Sequence, residues 1–539
     1  TKNKMSMDWQ STNTMLYTAT ARYDWSNDKH AVGALVGTSY EHYKYERLAG
    51  SREEFPSDAL TDMEAGSTSG AGYTNGAGSS EYKMLSYFAR VNYTLMDRYL
   101  FEVNMRADAS SRFHKDHRWG YFPSFSAGWR MSEESFMKDI EWINNLKIRA
   151  SYGTLGNINN VGNYDYFQNY SSGNHYNFSD SPVIGIGESK PANETLGWEK
   201  VALTDIGLDF DIFNGLLGVT ADYYIKNTSD ILLGYNVPTE TGITAAPSQN
   251  IGKVKNTGFE LALNHRNKIG AVNYSIGANI ATNKNKITNL GGSDNIIQTS
   301  SYIVKYILKK GESIGSFYGF KTDGLYTQAD IDAGHYYTLS GVVPNAGDIK
   351  FVPQRDIEYK QEITDEDRTI LGKDVPDFTY GVNLSLQYKG FEFSMFGQGI
   401  SGTKVAFDVY GVHPFYHGQD SPRKYHLKRW TEENPNPHAA YPRIYSASSV
   451  HTTYNRNFSD YHLFDSDYFR FKTLSLGYTV PSATVKNWGL QSLKVYVTGE
   501  NLFTVRADKK MEDFDPETAG GVIYTLGTKS VAFGVNISF

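Results

Sequence analysis

Apolar and polar residues alternate along most of the chain, a pattern that is typical of β-strands whose two faces meet different surroundings. In the last nine residues, large apolar side chains occupy every second position from Val531 to Phe539. Fifteen segments of this kind predict strands, at 15–24, 30–43, 84–94, 98–109, 121–131, 145–154, 200–212, 215–227, 254–266, 269–283, 376–388, 390–402, 466–480, 491–504 and 528–539. Short helical segments are predicted at 132–144 and 482–488.

The connections between these strands alternate between short and long. Turns such as 96–97 and 389–390 are very short, whereas the long connections run through 44–83, 110–120, 155–199, 228–253, 284–375, 403–465 and 505–527. A membrane barrel has this property, because its periplasmic turns are short and its extracellular loops are long. The sequence therefore predicts an all-β fold, an antiparallel transmembrane β-barrel. A soluble β-rich binding or adhesion protein is the alternative, although it gives no reason for the alternation.

Charged residues within the predicted strands lie on the face opposite the large apolar residues. The set consists of Arg90, Glu102, Arg106, Arg130, Arg149, Asp205, Asp209, Glu260, Glu392 and Glu500. Charges in mid-strand that face one way require a lumen filled with water or with protein. Tyrosines at strand ends, such as Tyr93, Tyr99 and Tyr388, occupy the positions where a barrel carries its aromatic girdles.

The composition excludes several classes of function. The 539 residues have a net charge of −7 and no cysteine. This balance gives no electrostatic case for nucleic-acid binding, and the missing cysteines remove disulfides, zinc–thiolate sites and cysteine nucleophiles. No apolar stretch is long enough for a transmembrane helix. No dinucleotide loop, HExxH motif or Gly-x-Ser-x-Gly elbow is present, so the chain is not expected to be an enzyme.

Strand parity predicts the orientation of the barrel. A last strand that ends at Phe539 places the C-terminus in the periplasm, and counting back places every long loop outside. Residues 1–14 are then expected to be the end of an extracellular loop, at a proteolytic cut or a chain boundary, and residues 15–539 the C-terminal part of the barrel. Because intact bacterial barrels have an even number of strands and fifteen is odd, an N-terminal portion is expected outside this chain.

Several motifs, spread in order from about residue 84 to the C-terminus, together resemble the SusC/RagA family of TonB-dependent outer-membrane transporters. They include GYFPSFSAGW at 120–129, LKIRASYGTLG at 146–156, GDIKF at 347–351 and PDFTYG at 376–381. Segments 132–136, 256–260, 367–372 and 534–539 also fit. Any one of these motifs alone is unspecific, and their joint order carries the resemblance.

The resemblance implies a 22-stranded barrel of which this chain holds about the last fifteen strands. The plug domain, the TonB-contacting segment and about seven strands would then lie outside it. It also implies active, TonB-dependent import of an oligosaccharide or oligopeptide across the bacterial outer membrane. The implied partners are a SusD-like surface lipoprotein acting as a lid, the TonB complex and the N-terminal portion of the same polypeptide, and a dimer of transporter–lid pairs is compatible. A passive porin is the alternative. Within a plugged barrel, pairing with the plug is favoured over a solute path for the strand charges.

One acidic stretch, DIEYKQEITDED at 356–367, is similar to the calcium-binding loop of many relatives. Such a loop takes oxygen ligands at positions 1, 3, 5, 7, 9 and 12, with glycine at position 6. The oxygens that fit belong to Asp356, Glu358, Glu362, Thr364 and Asp367. Lys360 and Gln361 at positions 5 and 6 do not fit, because lysine brings a cation and glutamine takes the turn less easily than glycine. The sequence is compatible both with calcium binding and with a solvated acidic loop that has lost its ion. No other cofactor is expected.

Aromatic residues are frequent in the predicted extracellular loops, where they suit either lid docking or substrate contact. The candidates are Tyr164, Tyr166, Phe167, Tyr170, Phe415, Tyr416 and Trp430. At the C-terminus, Gly534, Ile537 and the terminal Phe539 fit the pattern of an outer-membrane assembly signal, in which an edge strand pairs with the insertion machinery.

Overall fold

The computed structural model describes residues 3–68, 72–178, 181–234, 248–299, 303–407, 413–415, 421–517 and 527–539. The strands are β1 (Lys4–Ser26), β2 (His30–Glu53), β3 (Thr74–Leu95), β4 (Tyr99–Ser110), β5 (Trp119–Arg130), β6 (Ile143–Asn157), β7 (Asn169–Phe178), β8 (Ser181–Lys190), β9 (Glu199–Ile212), β10 (Leu217–Gly234), β11 (Ser248–Ile269), β12 (Val272–Thr282), β13 (Lys284–Leu290), β14 (Asn295–Thr299), β15 (Lys305–Lys309), β16 (Ser316–Gly319), β17 (Lys321–Leu325), β18 (Thr338–Leu339), β19 (Ile349–Val352), β20 (Glu362–Ile363), β21 (Thr369–Lys373), β22 (Phe378–Tyr388), β23 (Phe391–Ser401), β24 (Lys404–Ala406), β25 (Leu463–Asp465), β26 (Tyr468–Thr479), β27 (Ser492–Arg506) and β28 (Ser530–Ser538).

The helices are α1 (Gln328–Asp332), α2 (Val450–Asn455) and α3 (Ser482–Lys486). In the part of the chain that the structure describes, every helix falls short of the length and apolar character needed to cross a membrane. The predicted helical segment at 482–488 contains α3. The one predicted at 132–144 instead forms a short 3-10 turn at Met131–Glu133, followed by further turns.

Fifteen strands form one large sheet in chain order, β1-β2-β3-β4-β5-β6-β9-β10-β11-β12-β22-β23-β26-β27-β28, and β13 pairs with β11. Each of the fifteen predicted segments coincides with one of these strands, so the prediction of an all-β antiparallel fold is confirmed. The register of β1 with β2 and of β2 with β3 is antiparallel and unbroken over their whole length.

The first three strands are longer than the sequence pattern predicts. They hold 23, 24 and 22 residues, whereas about 9–11 residues suffice to cross a bilayer. The first strand begins at Lys4 rather than at residue 15, and Lys4–Thr14 pairs with Glu53–Tyr43. Within the segment 1–14 that is expected to end a loop, Lys4–Thr14 is therefore part of a β-strand that pairs with β2.

Chain contacts divide the molecule into two units, each with a polar and an apolar sheet face. The first unit comprises Thr1–Glu133, Arg149–Thr204 and Lys226–Lys253. On one face of its β3, β4 and β5, Val91, Val103 and Phe125 lie opposite one another, and these side chains are 46%, 58% and 56% exposed. The other face carries Arg90 and Asn104, which are also paired across the strands. The connections of this unit have a small core of Phe113, Phe122, Val161, Leu196 and Trp198.

The second unit comprises Glu134–Ile148, Asp205–Ile225 and Val254–Phe539. We call the fifteen strands of the large sheet the wall strands. The wall strands of this unit also have one apolar and one polar face, and Leu476, Val495 and Val535 are exposed on the apolar face. The connections 284–377 and 402–467 fold together, and we call their described residues the long-loop module. One core of this module holds Phe320, Leu325, Ile349, Phe351, Trp430 and Tyr454, and two smaller hydrophobic clusters accompany it, one of which also includes Phe514 from the β27–β28 connection.

Candidate functional site

The polar face of β3 and β4 carries a connected set of charges. Arg106 lies opposite Phe88, and its guanidinium is 5.7 Å from the centre of that ring. Its Nε donates to Asp108 at 2.8 Å, and its Nη2 donates to the hydroxyl of Ser86 at 3.0 Å. Asp108 and Ser86 are buried. Since a buried carboxylate must be paired, this arginine is held in place by the wall itself.

The other predicted strand charges also lie on or next to the wall. Glu102 accepts from Asn104 at 2.7 Å, Arg130 donates to the Asp97 carbonyl at 3.2 Å, and Asp209 lies 3.6 Å from the Lys147 ammonium. The remaining members are placed as follows: Arg90 opposite Asn104, Glu260 opposite Ala281, and Arg149 and Asp205 with interaction partners of their own. Their contact with a plug or with a solute stays a prediction.

A polar cavity of about 270 Å³ lies against the C-terminal wall strands. Glu392 and Lys494 form an ion pair at its edge, and Glu500 accepts a hydrogen bond from Ser530 at 3.0 Å nearby in the sheet. Its lining is rich in hydroxyl and amide groups, from Ser385, Gln387, Ser394, Ser475, Tyr496, Thr498 and Asn536. Such a surface offers many hydrogen bonds and little net charge to whatever it faces.

An arginine clamp that the sequence did not reveal ties the β27–β28 connection to the polar face of β26. Arg470 is buried, and it donates to Asp515 at 2.5 Å and to Glu517 at 3.0 Å. Lys472 and the hydroxyl of Tyr468 also bind Glu517, at 2.6 and 2.9 Å. Burial alone would raise the pKa of Asp515 and of Glu517, but their hydrogen bonds and the nearby positive charges outweigh it and lower both pKa values. The neighbouring Phe514 packs in an aromatic cluster with Phe407.

The GDIKF motif has a structural explanation in the long-loop module. Gly347 has φ +89°, and a Cβ atom there would lie 2.5 Å from the Trp430 ring, so only glycine fits. Asp348 is fully buried and accepts from the Asn345 amide at 2.7 Å, from the Asn455 side chain at 2.8 Å and from His451 at 2.8 Å. The motif therefore links two connections that are distant in sequence through buried hydrogen bonds.

The calcium-like loop is organised around an arginine. Asp367 is fully buried, and both of its oxygens receive hydrogen bonds from Arg355, with 3.1 Å from Nε to Oδ1 and 2.7 Å from Nη2 to Oδ2. Asp356, Glu358 and Thr364 are exposed, and the Glu362 carboxylate accepts from the Gly341 amide at 3.0 Å. Within the described residues, no group of three or more histidines or carboxylates is arranged to hold a metal ion. The carboxylates among the predicted ligands are thus not gathered around one point.

Hydrogen bonding perturbs the pKa of Asp367 strongly. Burial by itself would raise this pKa, but Arg355 and the backbone amides of Thr364, Arg355 and Gln354 donate to the carboxylate and lower the value to about 2. The amide distances are 2.9, 3.0 and 3.0 Å. The carboxylate is therefore held ionised by its own loop.

The predicted loop aromatics separate into exposed and structural side chains. Phe167 and Tyr170 are 50% and 64% exposed, and Phe415 is 45% exposed. Tyr164 is partly exposed, but its hydroxyl accepts from the Glu81 amide at 3.2 Å, and Tyr166 packs against the core of the first unit. The prediction that Trp430 contacts a lid or a substrate is wrong. Its side chain is 5% exposed and belongs to the core of the long-loop module, so the ring is not available to either. Tyr416 lies outside the described residues.

The predicted assembly signal lies on the last strand and at its end. Gly534 faces the Tyr496 ring so closely that a Cβ atom would lie 2.2 Å from it, and Ile537 and Phe539 are 48% and 81% exposed. β28 pairs with β27 from Ser530 to Ser538. An exposed terminal aromatic on a paired last strand is compatible with an assembly role, which stays a prediction.

Known proteins share this arrangement. The family described as TonB dependent receptor-like, beta-barrel matches residues 2–502. TonB-dependent receptor P3 of Formosa agariphila is 31% identical over 492 residues, which are 89% of this chain and 47% of that protein. TonB-dependent receptor SusC of Bacteroides thetaiotaomicron is 29% identical over 84% of this chain and 43% of its own length.

A solved structure extends the comparison to three dimensions. The structure of the RagAB peptide transporter matches 99% of this chain and 56% of that chain, with a TM-score of 0.82 and 25% identity. The chain spans about half the length of the curated relatives it matches. The family match and the shared fold lead to the same conclusion: the chain belongs to the TonB-dependent receptor β-barrel family and is similar to its SusC/RagA members.

Proposed function

We propose that the chain is part of a transporter that imports an oligomeric nutrient across the bacterial outer membrane, driven by TonB. The observation that carries the proposal is the match of 99% of the chain to the RagAB peptide transporter at a TM-score of 0.82. Import in this sense consists of binding, rearrangement and passage, with no covalent change to the solute.

The two faces of the sheet support a position in the membrane. On β1, Met15, Tyr17, Tyr23 and Trp25 are all exposed on the apolar face. From Met15 to Trp25 the strand advances about 33 Å, which a tilt of 35–45° reduces to about 25 Å. This equals the height of the apolar band of outer-membrane barrels, and aromatic residues lie near both of its ends, Tyr17 on one side and Tyr23 and Trp25 on the other. In this arrangement the C-terminus is periplasmic and the long connections are extracellular.

A surface lipoprotein of the SusD type is the proposed partner at the extracellular side. The similarity of the chain to SusC and to the RagAB peptide transporter supports this partner. Exposed aromatic and aliphatic side chains on the described extracellular connections, among them Phe167, Tyr170 and Phe415, offer contact area to such a partner. The TonB complex would act through the N-terminal portion of the polypeptide.

The proposed substrate class is an oligosaccharide or an oligopeptide. The polar wall presents hydroxyl and amide groups around its 270 Å³ cavity with one ion pair at the edge, a surface that suits either uncharged or weakly charged oligomers. Mass spectrometry of ligand that co-purifies with the complex would identify which of the two is carried.

The test of active import uses the intact gene in its host. Deletion of the gene should abolish uptake of the ligand identified by co-purification, and a plasmid copy should restore it. Uptake through the restored transporter should stop when TonB is deleted or when the proton gradient is dissipated. Uptake that continues under both conditions would establish a passive porin and refute the proposal.

A further inference from the structure

The loop 356–367 has the charge pattern of a cation site, but its centre is taken by a side chain of the same protein. The relevant residue is Arg355, which stands immediately before the first position of the loop. We propose that the Arg355 guanidinium takes the place of a bound calcium ion, so that this extracellular loop is closed by a built-in cation and is independent of metal.

The hydrogen bonds of Arg355 coincide with two ligand positions of a calcium loop. Position 12 supplies a carboxylate that binds the ion with both oxygens, and position 7 supplies a backbone carbonyl. Here position 12 is Asp367, and both of its oxygens accept from the guanidinium. Position 7 is Glu362, whose carbonyl accepts from Arg355 Nη2 at 3.4 Å. One side chain therefore satisfies two groups that a metal ion would otherwise need to satisfy.

Charge balance around Asp367 supports the same conclusion. The carboxylate is fully buried and receives three backbone N–H groups besides the guanidinium. A buried carboxylate is costly unless it is paired, and a planar guanidinium pairs with both of its oxygens at once. Arg355 Nη1 also reaches Glu366 at 3.1 Å. Arg355 thus compensates the negative charge at the end of the loop without a metal ion.

The rest of the loop has lost the geometry of a cation site. Lys360 stands at position 5 with φ +69°, and its amide donates to the Tyr336 carbonyl at 2.6 Å. A Cβ atom at Gly334 would lie 2.6 Å from the Lys360 side chain, so this side chain packs over Gly334. Asp356 and Glu358 remain in solvent. A calcium loop turns at the glycine of position 6, whereas here the left-handed residue is the lysine at position 5.

The experiment follows backbone hydrogen exchange of residues 354–367 in the full chain in detergent, with calcium or with a chelator. For the natural sequence, exchange should be the same in 5 mM calcium and in the chelator. Arg355→Met should speed exchange of the Gln354 and Thr364 amides by about 100-fold, since it leaves the fully buried Asp367 carboxylate without its cation. Arg47→Met is the matched control, because the Arg47–Asp8 pair is bidentate but exposed; it should leave these amides unchanged.

A double variant distinguishes an arginine that replaces a calcium ion from an arginine that only stabilises the loop. Arg355→Met combined with Lys360→Asn frees two ligand positions and removes the competing cation at position 5, and asparagine tolerates the left-handed turn. In this variant, 5 mM calcium should restore slow exchange. The proposal is wrong if calcium alters exchange in the natural protein, if Arg355→Met leaves the loop protected, or if calcium does nothing to the double variant.

Discussion

Replacing Arg470 by methionine should release the segment that follows β27 from the wall. Methionine keeps much of the side-chain volume but removes the charge that holds Asp515 and Glu517. The arginine side chain is 6% exposed and its partners are 17% and 27% exposed, so this is a buried pair rather than a surface pair. Breaking such a pair costs about 3–5 kcal/mol, because it leaves an uncompensated charge.

The lower end of that range applies here. Lys472 and Tyr468 would still hold Glu517, so Asp515 is the carboxylate left without its cation. A loss of about 3 kcal/mol corresponds to about a 100-fold increase in the population of the released segment. Trypsin measures that population, because Lys509 and Lys510 lie in the same connection and become accessible when it detaches. Cleavage at these lysines should accelerate by about the same factor.

The control and the pH dependence distinguish the clamp from a general loss of stability. Arg22→Met breaks an exposed pair with Asp24, which solvent screens, and should not change cleavage at Lys509. Because the pKa values of Asp515 and Glu517 are lowered in the fold, the clamp is fully present above the usual carboxylate pKa of about 4 and weakens as the pH falls below it. Unchanged cleavage in the Arg470 variant would refute the role of the clamp.

Two further variants test the faces of the sheet and the interior of the long-loop module. Val103→Lys places a charge on the exposed apolar face and should cost about 2–4 kcal/mol, measured as loss of folded protein in outer membranes, whereas Asn104→Lys on the opposite face should have a small effect. Burial lowers the pKa of His462 to about 4, so the folded module resists protonation that the unfolded chain accepts below about pH 6.5. Stability should therefore fall by about 3 kcal/mol between pH 6.5 and 4, as measured by urea unfolding followed through tryptophan fluorescence. His462→Gln should make this fall smaller without abolishing it, because burial also lowers the pKa of the neighbouring His413; an unchanged slope would contradict the assignment.

The wall of the molecule could be predicted from the sequence because its signal is local. A strand with one apolar and one polar face repeats every two residues, and this period is visible without any knowledge of its neighbours. All fifteen wall strands were found in this way. The first part of β1 is not predicted, although Met5, Met7 and Trp9 alternate with polar residues, because Ser11–Thr14 is polar on both faces and separates these residues from the pattern that begins at Met15.

The long connections could not be predicted, because distant residues determine their structure. Thr322 donates to Asp460 at 2.6 Å and Asn455 donates to Asp348 at 2.8 Å, across more than a hundred residues in each case. An aromatic residue in such a connection suits a core as well as a contact surface, which is why Trp430 was placed with the wrong group. The pairing of Arg355 with Asp367 is not predicted for a related reason: Arg355 lies one residue before the twelve-residue ligand pattern, so the pattern does not include it.

The two-segment construction of the long-loop module has a consequence for the order of folding. Its core joins residues near 320–351 to residues near 430–464, and the β22–β23 hairpin lies between these segments in the chain. Closing that loop is entropically cheaper once the hairpin has brought the two ends together. The module should therefore be among the last parts to become protected after insertion begins, and a hairpin that pairs out of register would delay it without any change in the module's own residues.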